Sequence, residues 1–136
     1  MVEPATLQRL VDAARAVREQ AYAPYSRFKV GAALLDEQGR IHAGCNIENA
    51  AYPMSQCAEA SALAVLVAAG GRRVAAVAVV GEAAEPVTPC GGCRQRLSEF
   101  ADDAAPVWVA DLHSVRARLS LGELLPHRFG ASHLPD

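Results

Sequence analysis

The chain has 136 residues, of which 51% are hydrophobic and 21% are charged, so it is neither a disordered chain nor a collagen-like one. A chain of this length buries roughly two-thirds of the surface that its unfolded form exposes, and we expect a single domain over residues 1–136. The 13 basic and 15 acidic residues leave a net charge of −2. This balance argues against a nucleic-acid partner, because binding phosphates needs an excess of positive charge.

The amino-terminal sequence bears on where the protein acts. Glu3 and Asp12 interrupt it, so it lacks the apolar stretch of a secretory signal peptide. The apolar runs elsewhere are shorter than the roughly 18 residues of a membrane-spanning helix. We therefore expect a cytoplasmic protein with no membrane partner. In that compartment we interpret the four cysteines as thiols, metal ligands or catalytic groups and not as disulfides.

Helical and strand patterns alternate along the chain. Apolar residues at helical spacing follow Pro4, hydrophobic runs bounded by turn residues indicate strands, and Gly70 closes a long apolar helix. The predicted elements are a helix over 4–21, a hairpin of strands over 27–36 and 40–48, a helix over 57–70, a strand over 73–81, a helix over 91–100, strands over 106–110 and 114–118, and a helical turn over 120–126. This order predicts an α/β fold: a three-layer α/β/α domain with a mixed central sheet of about five strands, flanked by helices.

Two short motifs, 57-CAE-59 and 89-PCGGC-93, each stand at the beginning of a predicted helix. Cys90 and Cys93 are three residues apart, so they lie on one face of a first helical turn. The partial positive charge of a helix N-terminus favours thiolates over thiols. The 33 residues from Cys57 to Cys90 suffice for a helix, a strand and a loop. The two helix N-termini can therefore meet at one end of the sheet, where the three sulfurs can bind one metal ion.

Three thiolates leave one place of a tetrahedral zinc site open to water, as in catalytic zinc sites. Glu59, two residues after Cys57, is a suitable base beside that water, whose pKa the metal lowers toward neutrality. Zn²⁺ is therefore the expected cofactor. The pattern C-x-E followed by P-C-x-x-C matches the signature already known for zinc deaminases, in its three-cysteine form.

Two other interpretations of these cysteines remain open. A C-x-x-C pair is also typical of redox proteins, but that interpretation leaves Glu59 without a role. A structural zinc site needs a fourth protein ligand, which Cys45 or a histidine could supply, although none has the usual spacing. We interpret Cys45 as a small buried strand residue. The candidate histidines are His42, His113, His127 and His133.

Beyond these motifs, the chain resembles the small, tetramer-forming cytidine deaminases over nearly its whole length. The segments that carry the resemblance stand in the family's order: 24-PYSRFKVGAAL-34, 44-GCNIENAAYP-53, 57-CAE-59, 89-PCGGCRQ-95 and 124-LLPHRFG-130. The resemblance implies a cytidine-deaminase-like fold and hydrolytic deamination of cytidine and 2′-deoxycytidine to uridine and 2′-deoxyuridine with release of ammonia, a reaction of pyrimidine salvage. It also implies a small-molecule nucleoside substrate and a homotetramer with its active sites at subunit interfaces.

The resemblance further assigns roles at the metal centre. The implied zinc ligands are Cys57, Cys90 and Cys93, and the implied catalytic proton shuttle is Glu59. Many family members carry an arginine directly after the C-A-E triplet, where this chain has Ala60. Because three thiolates and Zn²⁺ leave a net negative charge, we expect the two helix N-termini to offset part of it. Arg94, next to Cys93, is the candidate for a further offset, and a surface or interface salt bridge is its alternative role.

For the substrate, the resemblance implies that Asn46 and Glu48 hydrogen-bond the ribose 3′-hydroxyl. Asn46 and Glu48 are two residues apart at the end of a predicted strand, so their side chains point to the same side. Phe28 is implied to line the base pocket, and the backbone N–H of Ala58 to bind the base carbonyl. The implied aromatic contacts on the pocket wall or from a neighbouring subunit are Tyr25, Tyr52 and Phe129, the last packing on the base from an adjacent chain.

Three rival functions share part of this pattern. A blasticidin-S-type aminopyrimidine nucleoside deaminase has the same cysteine motifs, but 46-NIEN-49 and the ending 125–129 favour a free nucleoside. A deaminase acting on nucleic acid must hold a flipped or single-stranded base, for which the chain lacks a basic aromatic surface. A non-catalytic zinc-stabilised interaction module requires a fourth protein ligand in place of water.

Overall fold

The computed structural model describes residues 2–135, in which four α-helices alternate with five β-strands. The helices are α1 (Pro4–Arg18), α2 (Ala58–Ala68), α3 (Gly91–Ser98) and α4 (Leu121–Leu124), and the strands are β1 (Val30–Asp36), β2 (Ile41–Cys45), β3 (Val74–Gly81), β4 (Pro106–Ala110) and β5 (Val115–Ser120). Two 3₁₀ turns lie at Tyr52–Met54 and Ala131–His133. Within these residues, no helix is both long enough and apolar enough to cross a membrane.

The five strands form one mixed sheet in the order β2-β1-β3-β4-β5. β1 is antiparallel to both β2 and β3, β3 is parallel to β4, and β5 is antiparallel to β4. In this register Gly31 lies opposite Cys45 on one side and Val80 on the other. The start of β1, the end of β2 and the end of β3 therefore meet at one edge of the sheet.

Helices cover both faces of this sheet. α1 packs on one face, where Leu10 and Ala78 belong to one core. α2 and α3 pack on the other face, where Leu66 and Leu97 meet Val79. Because alternate side chains of β3 enter different cores, the strand is apolar almost throughout. The mixed five-stranded sheet between helices confirms the predicted α/β/α fold.

The predicted hairpin is present, but its strands are shorter than expected. Arg27 has a φ of 61°, in the left-handed region that a strand does not contain, so β1 begins at Val30. After Cys45 the chain leaves the ladder, and Ile47 makes only isolated bridges. The prediction of one strand over 40–48 was wrong at its end, because a run of compatible residues does not show where pairing stops.

Other boundaries also differ from the sequence-based ones. The helices end earlier than predicted, α1 at Arg18, α2 at Ala68 and α3 at Ser98, because their last carbonyls are satisfied by tighter turns instead of a continued helix. β5 extends over Val115–Ser120, beyond the predicted 114–118. Cys45, predicted to be buried, is only partly so, since it is the last residue of an edge strand.

Helix α2 lies very close to strand β2. A Cβ atom added at Gly44 would be 2.3 Å from the backbone nitrogen of Ala62 and 2.7 Å from the Cβ of Ser61. Only a residue without a side chain permits this approach. Gly44 therefore sets the distance of α2 from the sheet, and with it the position of the cysteine that precedes α2.

We expect Gly44→Ala to lower the free energy of unfolding by about 1–3 kcal/mol, the usual cost of overpacking, because the new methyl group meets backbone atoms that cannot move aside. Urea unfolding followed by circular dichroism measures this. Gly130→Ala is the matched control, because an added Cβ there meets nothing within 4 Å. Equal stabilities of the two variants would contradict the close packing of α2 on β2.

Candidate metal centre and active site

Four segments of the chain meet at the sheet edge where β1 begins and β2 and β3 end. They are the residues before β1, the loop after β2, the N-terminus of α2 and the loop from β3 to α3. Cys57 is the residue directly before α2 and Cys90 the residue directly before α3. Their sulfurs are 3.8 Å apart, so both helix N-termini point at one place, where their partial positive charges favour anionic groups.

Three cysteine sulfurs at this place form a cluster that fits zinc. The Sγ atoms of Cys57, Cys90 and Cys93 all lie within 4.8 Å of one another. Two thiolates on a tetrahedral zinc ion, each about 2.3 Å from the metal, stand about 3.8 Å apart, which is the observed separation of Cys57 and Cys90. Cys93 is buried and Cys90 is exposed, so the cluster is open on one side.

No fourth protein ligand joins this cluster among residues 2–135. Cys45 is a separate free thiol at the end of β2, and Glu59 lines the adjoining cavity without belonging to the group of ligand atoms. A structural zinc site closes with four protein ligands, whereas a catalytic site has three and keeps one place open. The donor set is therefore that of a catalytic centre.

Two of the three thiols resist ionisation when no cation is bound. Burial raises the pKa of the Cys57 and Cys93 thiols above the ordinary value, and the negative charges of their neighbours raise it further. Burial acts in the same direction at Cys90, but hydrogen bonds from the Cys93 backbone and from the adjacent thiols outweigh it and lower the pKa of Cys90. A bound dication removes the repulsion between the thiolates.

Glu59 lies in the first turn of α2 and is only 5% exposed. It lines the same cavity as Cys57 and Cys90. Burial raises the pKa of the Glu59 carboxyl above its ordinary value, while the charge of Arg96 acts in the opposite direction. A buried carboxyl beside a metal centre is suited to accept a proton and to return it within one reaction.

Two connected hollows open from the metal centre. An inner cavity of about 290 Å³ adjoins the cysteines and Glu59, and an outer hollow of about 350 Å³ adjoins that cavity. The two share Ser26 and Glu48 as lining residues. Phe28 and Val79 give the inner cavity apolar walls. The combination suits a flat, uncharged ring next to the metal and a more polar group farther out.

Asn46 lines the inner cavity and also holds the chain that enters β1. Its Oδ1 accepts a hydrogen bond from the Val30 N–H at 2.9 Å, and its Nδ2 donates to the Phe28 carbonyl at 2.8 Å. One amide hydrogen and one oxygen lone pair remain for a ligand. Ala58 lines the same cavity as the first residue of α2, where a backbone N–H has no acceptor within the helix.

The Glu48 carboxylate is held where the two hollows join. It accepts hydrogen bonds from the backbone N–H groups of Tyr25 at 2.9 Å and Ser26 at 3.1 Å, and from the Ser26 hydroxyl. The Ser26 hydrogen bonds are the main reason why the pKa of Glu48 lies below its ordinary value. Ser26 is a site residue that the sequence analysis missed, because a serine in a turn shows no sign of its long-range partner.

The remaining aromatic residues predicted at the site lie outside the inner cavity. Tyr52 is 72% exposed and packs edge-on against Tyr25 in the outer hollow, with ring centroids 6.0 Å apart. Phe129 is 57% exposed and stacks on His133 at 5.2 Å. In the part of the chain that the structure describes, Phe129 lines neither hollow. The fold of one chain thus brings Phe28 to the metal centre but not Tyr52 or Phe129.

Arg94, which we expected to offset the thiolate charge, binds elsewhere, and that prediction was wrong. Its guanidinium donates to the carbonyls of Pro89 at 2.7 Å and Leu124 at 2.8 Å, tying the loop before α3 to the C-terminal segment. The reason is helical geometry, since adjacent residues of a helix point in different directions. Arg96, three residues after Cys93, instead has a guanidinium nitrogen 3.8 Å from its sulfur.

Comparison with known proteins agrees with this site. The family model described as "Cytidine and deoxycytidylate deaminase zinc-binding region" matches residues 4–109, which include the cysteine cluster. A cytidine deaminase of Sporosarcina psychrophila is 44% identical over 128 residues, 94% of either chain. A cytidine deaminase of Mycobacterium tuberculosis strain H37Rv is 44% identical over 115 residues, 85% of this chain and 83% of that protein.

Solved structures give the same result. The crystal structure of a cytidine deaminase from Burkholderia pseudomallei superposes with a TM-score of 0.84 at 48% identity, covering 90% of this chain and 98% of that one. The crystal structure of cytidine deaminase from Mycobacterium tuberculosis superposes with a TM-score of 0.80 at 38% identity, covering 91% of this chain and 97% of that one.

The fold and the three-cysteine centre define a zinc-dependent hydrolase whose cofactor is Zn²⁺. The chain belongs to the cytidine and deoxycytidylate deaminase zinc-binding family. This membership and the three-ligand donor set leave the redox and structural-zinc interpretations of the cysteines without support.

We expect Cys90→Ser to lose zinc, because a serine hydroxyl does not replace a thiolate as a zinc ligand. Atomic emission on dialysed protein should give about one ion per chain for the wild type and well below that for the variant. Cys45→Ser is the matched control and should keep its zinc, since Cys45 lies outside the cluster. Full zinc content in Cys90→Ser would exclude Cys90 as a ligand.

Proposed function

We propose that this chain is a cytidine deaminase that hydrolyses cytidine and 2′-deoxycytidine to uridine and 2′-deoxyuridine with release of ammonia. The observation that carries the proposal is the three-cysteine cluster with the buried carboxyl of Glu59 in the adjoining cavity. The names of the relatives give the substrate, since those reported above are cytidine deaminases.

The metal and Glu59 divide the chemistry between them. Cys57, Cys90 and Cys93 would hold the zinc ion, whose chemistry there would be to lower the pKa of a water molecule toward neutrality. Glu59 takes one proton from the attacking water and delivers it to N3 of the pyrimidine, which makes C4 more electrophilic. The oxygen of the water forms a bond to C4, and the Glu59 carboxyl carries the second proton from the added hydroxyl to the amino nitrogen. The C4–N bond then breaks, so that C4 becomes a carbonyl carbon and the amino group leaves as ammonia. One carboxyl thus serves first as base and then as acid.

The inner cavity accounts for binding of the base. Phe28 and Val79 offer apolar contact to a pyrimidine ring, and the free N–H of Ala58 is suited to donate to the base carbonyl. These groups are held before substrate arrives, because Asn46 anchors the backbone of Phe28. Little reorganisation is then needed in the transition state.

Asn46 and Glu48 account for binding of the sugar. An amide beside a carboxylate can both donate to a hydroxyl and accept from it, which suits the ribose 3′-hydroxyl. The support is that Ser26 fixes the direction of the Glu48 carboxylate, at the junction of the inner cavity and the outer hollow. A nucleoside with its base inward then extends its sugar toward this junction.

The site of one chain is open where a second chain can close it. Tyr25 and Tyr52 line the outer hollow and are at least 50% exposed. Met54, in the same 3₁₀ turn as Tyr52, and Phe129 are also exposed. Exposed apolar side chains in this density are typical of an interface. We therefore include a homotetramer in the proposal, with Phe129 of an adjacent chain packing on the base and Tyr52 on the wall of the shared site.

Location and physiological role belong to the same proposal. None of the four cysteines forms a disulfide, which is typical of a reducing compartment and supports a cytoplasmic enzyme. We place this enzyme in pyrimidine salvage and assign it a single domain over residues 1–136. Cell fractionation with an antibody against the chain tests the location. The blasticidin-type alternative is not favoured, because the relatives that match nearly the whole chain are cytidine deaminases.

We expect Glu59→Gln to retain zinc and to lose turnover by at least about 10²-fold, because an amide cannot carry the proton. The loss of the cytidine absorption band follows the reaction, and atomic emission gives the zinc content. Glu99→Gln, on the exposed end of α3, is the matched control and should turn over cytidine like the wild type. A zinc-loaded wild type without activity on cytidine would refute the substrate, and a fully active Glu59→Gln would refute the proton shuttle.

A mixed-subunit experiment tests the shared site. Phe129→Ala and Glu59→Ala should each be nearly inactive alone, but chains of both kinds, expressed together and purified through two tags, should regain activity. The reason is that some sites then combine an intact Glu59 with an intact Phe129 from the other chain. Light scattering should give four times the 14.3 kDa mass of one chain.

In the control, chains with Glu59→Ala are mixed with chains with Cys90→Ser. Each change disables the site of the chain that carries it, so the mixture should regain no activity. A monomer in solution, or mixed Phe129→Ala and Glu59→Ala chains as inactive as each alone, would contradict the proposed role of the adjacent chain.

A further inference from the structure

The metal centre carries an excess of negative charge. Three thiolates outweigh the two charges of zinc, and Glu59 places a carboxyl in the same cavity, where it is 5% exposed. An uncompensated charge at a partly buried place is costly. The N-termini of α2 and α3 provide only partial charges, and Ala60, next to Glu59, carries none. A full positive charge near the sulfurs would therefore strengthen zinc binding.

Two arginines on α3 lie near enough to be considered. Arg94 is already engaged by the carbonyls of Pro89 and Leu124. Arg96 instead directs its guanidinium toward the cluster, with a nitrogen 3.8 Å from the Sγ of Cys93. Cys93 and Arg96 are three residues apart on one helix, a spacing that puts them on the same face.

Gly92 keeps the path of this side chain open. It lies four residues before Arg96 and thus on the same face of α3. A Cβ atom at Gly92 would be 3.2 Å from the same guanidinium nitrogen that approaches Cys93. A glycine between the two metal-binding cysteines therefore lets the arginine fold back over the first turn of its own helix.

We propose that Arg96 is a positioning residue of the zinc centre, whose guanidinium offsets the thiolate charge through Cys93 and so tightens zinc binding. The proposal rests on the zinc chemistry proposed above, and it assigns Arg96 no contact with substrate. Outer partners of metal ligands typically change metal affinity by about 10- to 100-fold. Arg96 is exposed, so solvent weakens its charge, and the lower end of that range applies.

The test measures zinc affinity by competition with a chromophoric chelator, without nucleoside, on wild type, Arg96→Gln and Arg96→Lys. We expect Arg96→Gln to bind zinc about tenfold more weakly and Arg96→Lys to recover most of the loss. The difference should shrink in 1 M salt, where charges are screened within about 3 Å. Arg9→Gln removes the same charge from α1, on the opposite face of the sheet, and should bind zinc like the wild type.

Each other result overturns the proposal in a distinguishable way. Equal zinc affinity of wild type and Arg96→Gln at low salt refutes the role of Arg96 while leaving the zinc centre intact. An equal loss in Arg9→Gln refutes a local effect, and a loss that Arg96→Lys does not recover, or that salt does not reduce, refutes the role of charge. A wild type that binds no zinc refutes the zinc chemistry itself. Thermal melts of the zinc-loaded chains verify that each variant is folded.

Discussion

The convergence of three cysteine sulfurs is the constraint on which the rest of this structure depends. Cys57, Cys90 and Cys93 bring their sulfurs within 4.8 Å of one another, although the buried thiols resist ionisation without a cation. Zinc bound by these sulfurs would resolve this conflict, and in doing so it would join the N-termini of α2 and α3, two helices that are separate in sequence. Because the ligand geometry requires both helix ends at one point, the same ion that creates the reactive centre also connects the layer of helices on that face of the sheet.

The sheet supplies the rest of the site through its strand directions. β1 runs antiparallel to its two neighbours, so its first residues lie beside the last residues of β2 and β3. This arrangement places Phe28 and Asn46 next to the metal centre, from segments that the sequence separates by a whole hairpin. The close approach of α2 at Gly44 then fixes how deep the metal centre sits. The site residues stand at or next to the ends of strands and helices of the packed sheet, which favours a preorganised site.

Much of the polar surface of the site has a second, structural use. The amide of Asn46 accepts from the Val30 N–H and donates to the Phe28 carbonyl. Ser26 holds Glu48, and Arg94 joins the loop before α3 to the C-terminal segment. Groups held in this way do not have to be ordered when a ligand binds, which reduces the entropic cost of binding. The opposite holds at the outer hollow, where the exposed rings of Tyr25 and Tyr52 pack on each other and, in the proposed homotetramer, a neighbouring chain would cover them.

The sequence alone was enough to predict the chemistry: 57-CAE-59 and 89-PCGGC-93 predict three thiolates, an open zinc position and a carboxyl beside it, because ligand type and helical spacing are local properties. It also determined the layer architecture, since the hydrophobic patterns of helices and strands are local too. The tertiary structure was needed to show which arginine faces the sulfurs, because the Arg94 guanidinium binds the carbonyls of Pro89 and Leu124 and Arg96 approaches Cys93 instead. It likewise decided that Ser26 holds Glu48 and that β1 starts only after the left-handed turn at Arg27. These features depend on contacts between residues distant in sequence and on backbone angles, neither of which a one-dimensional pattern records.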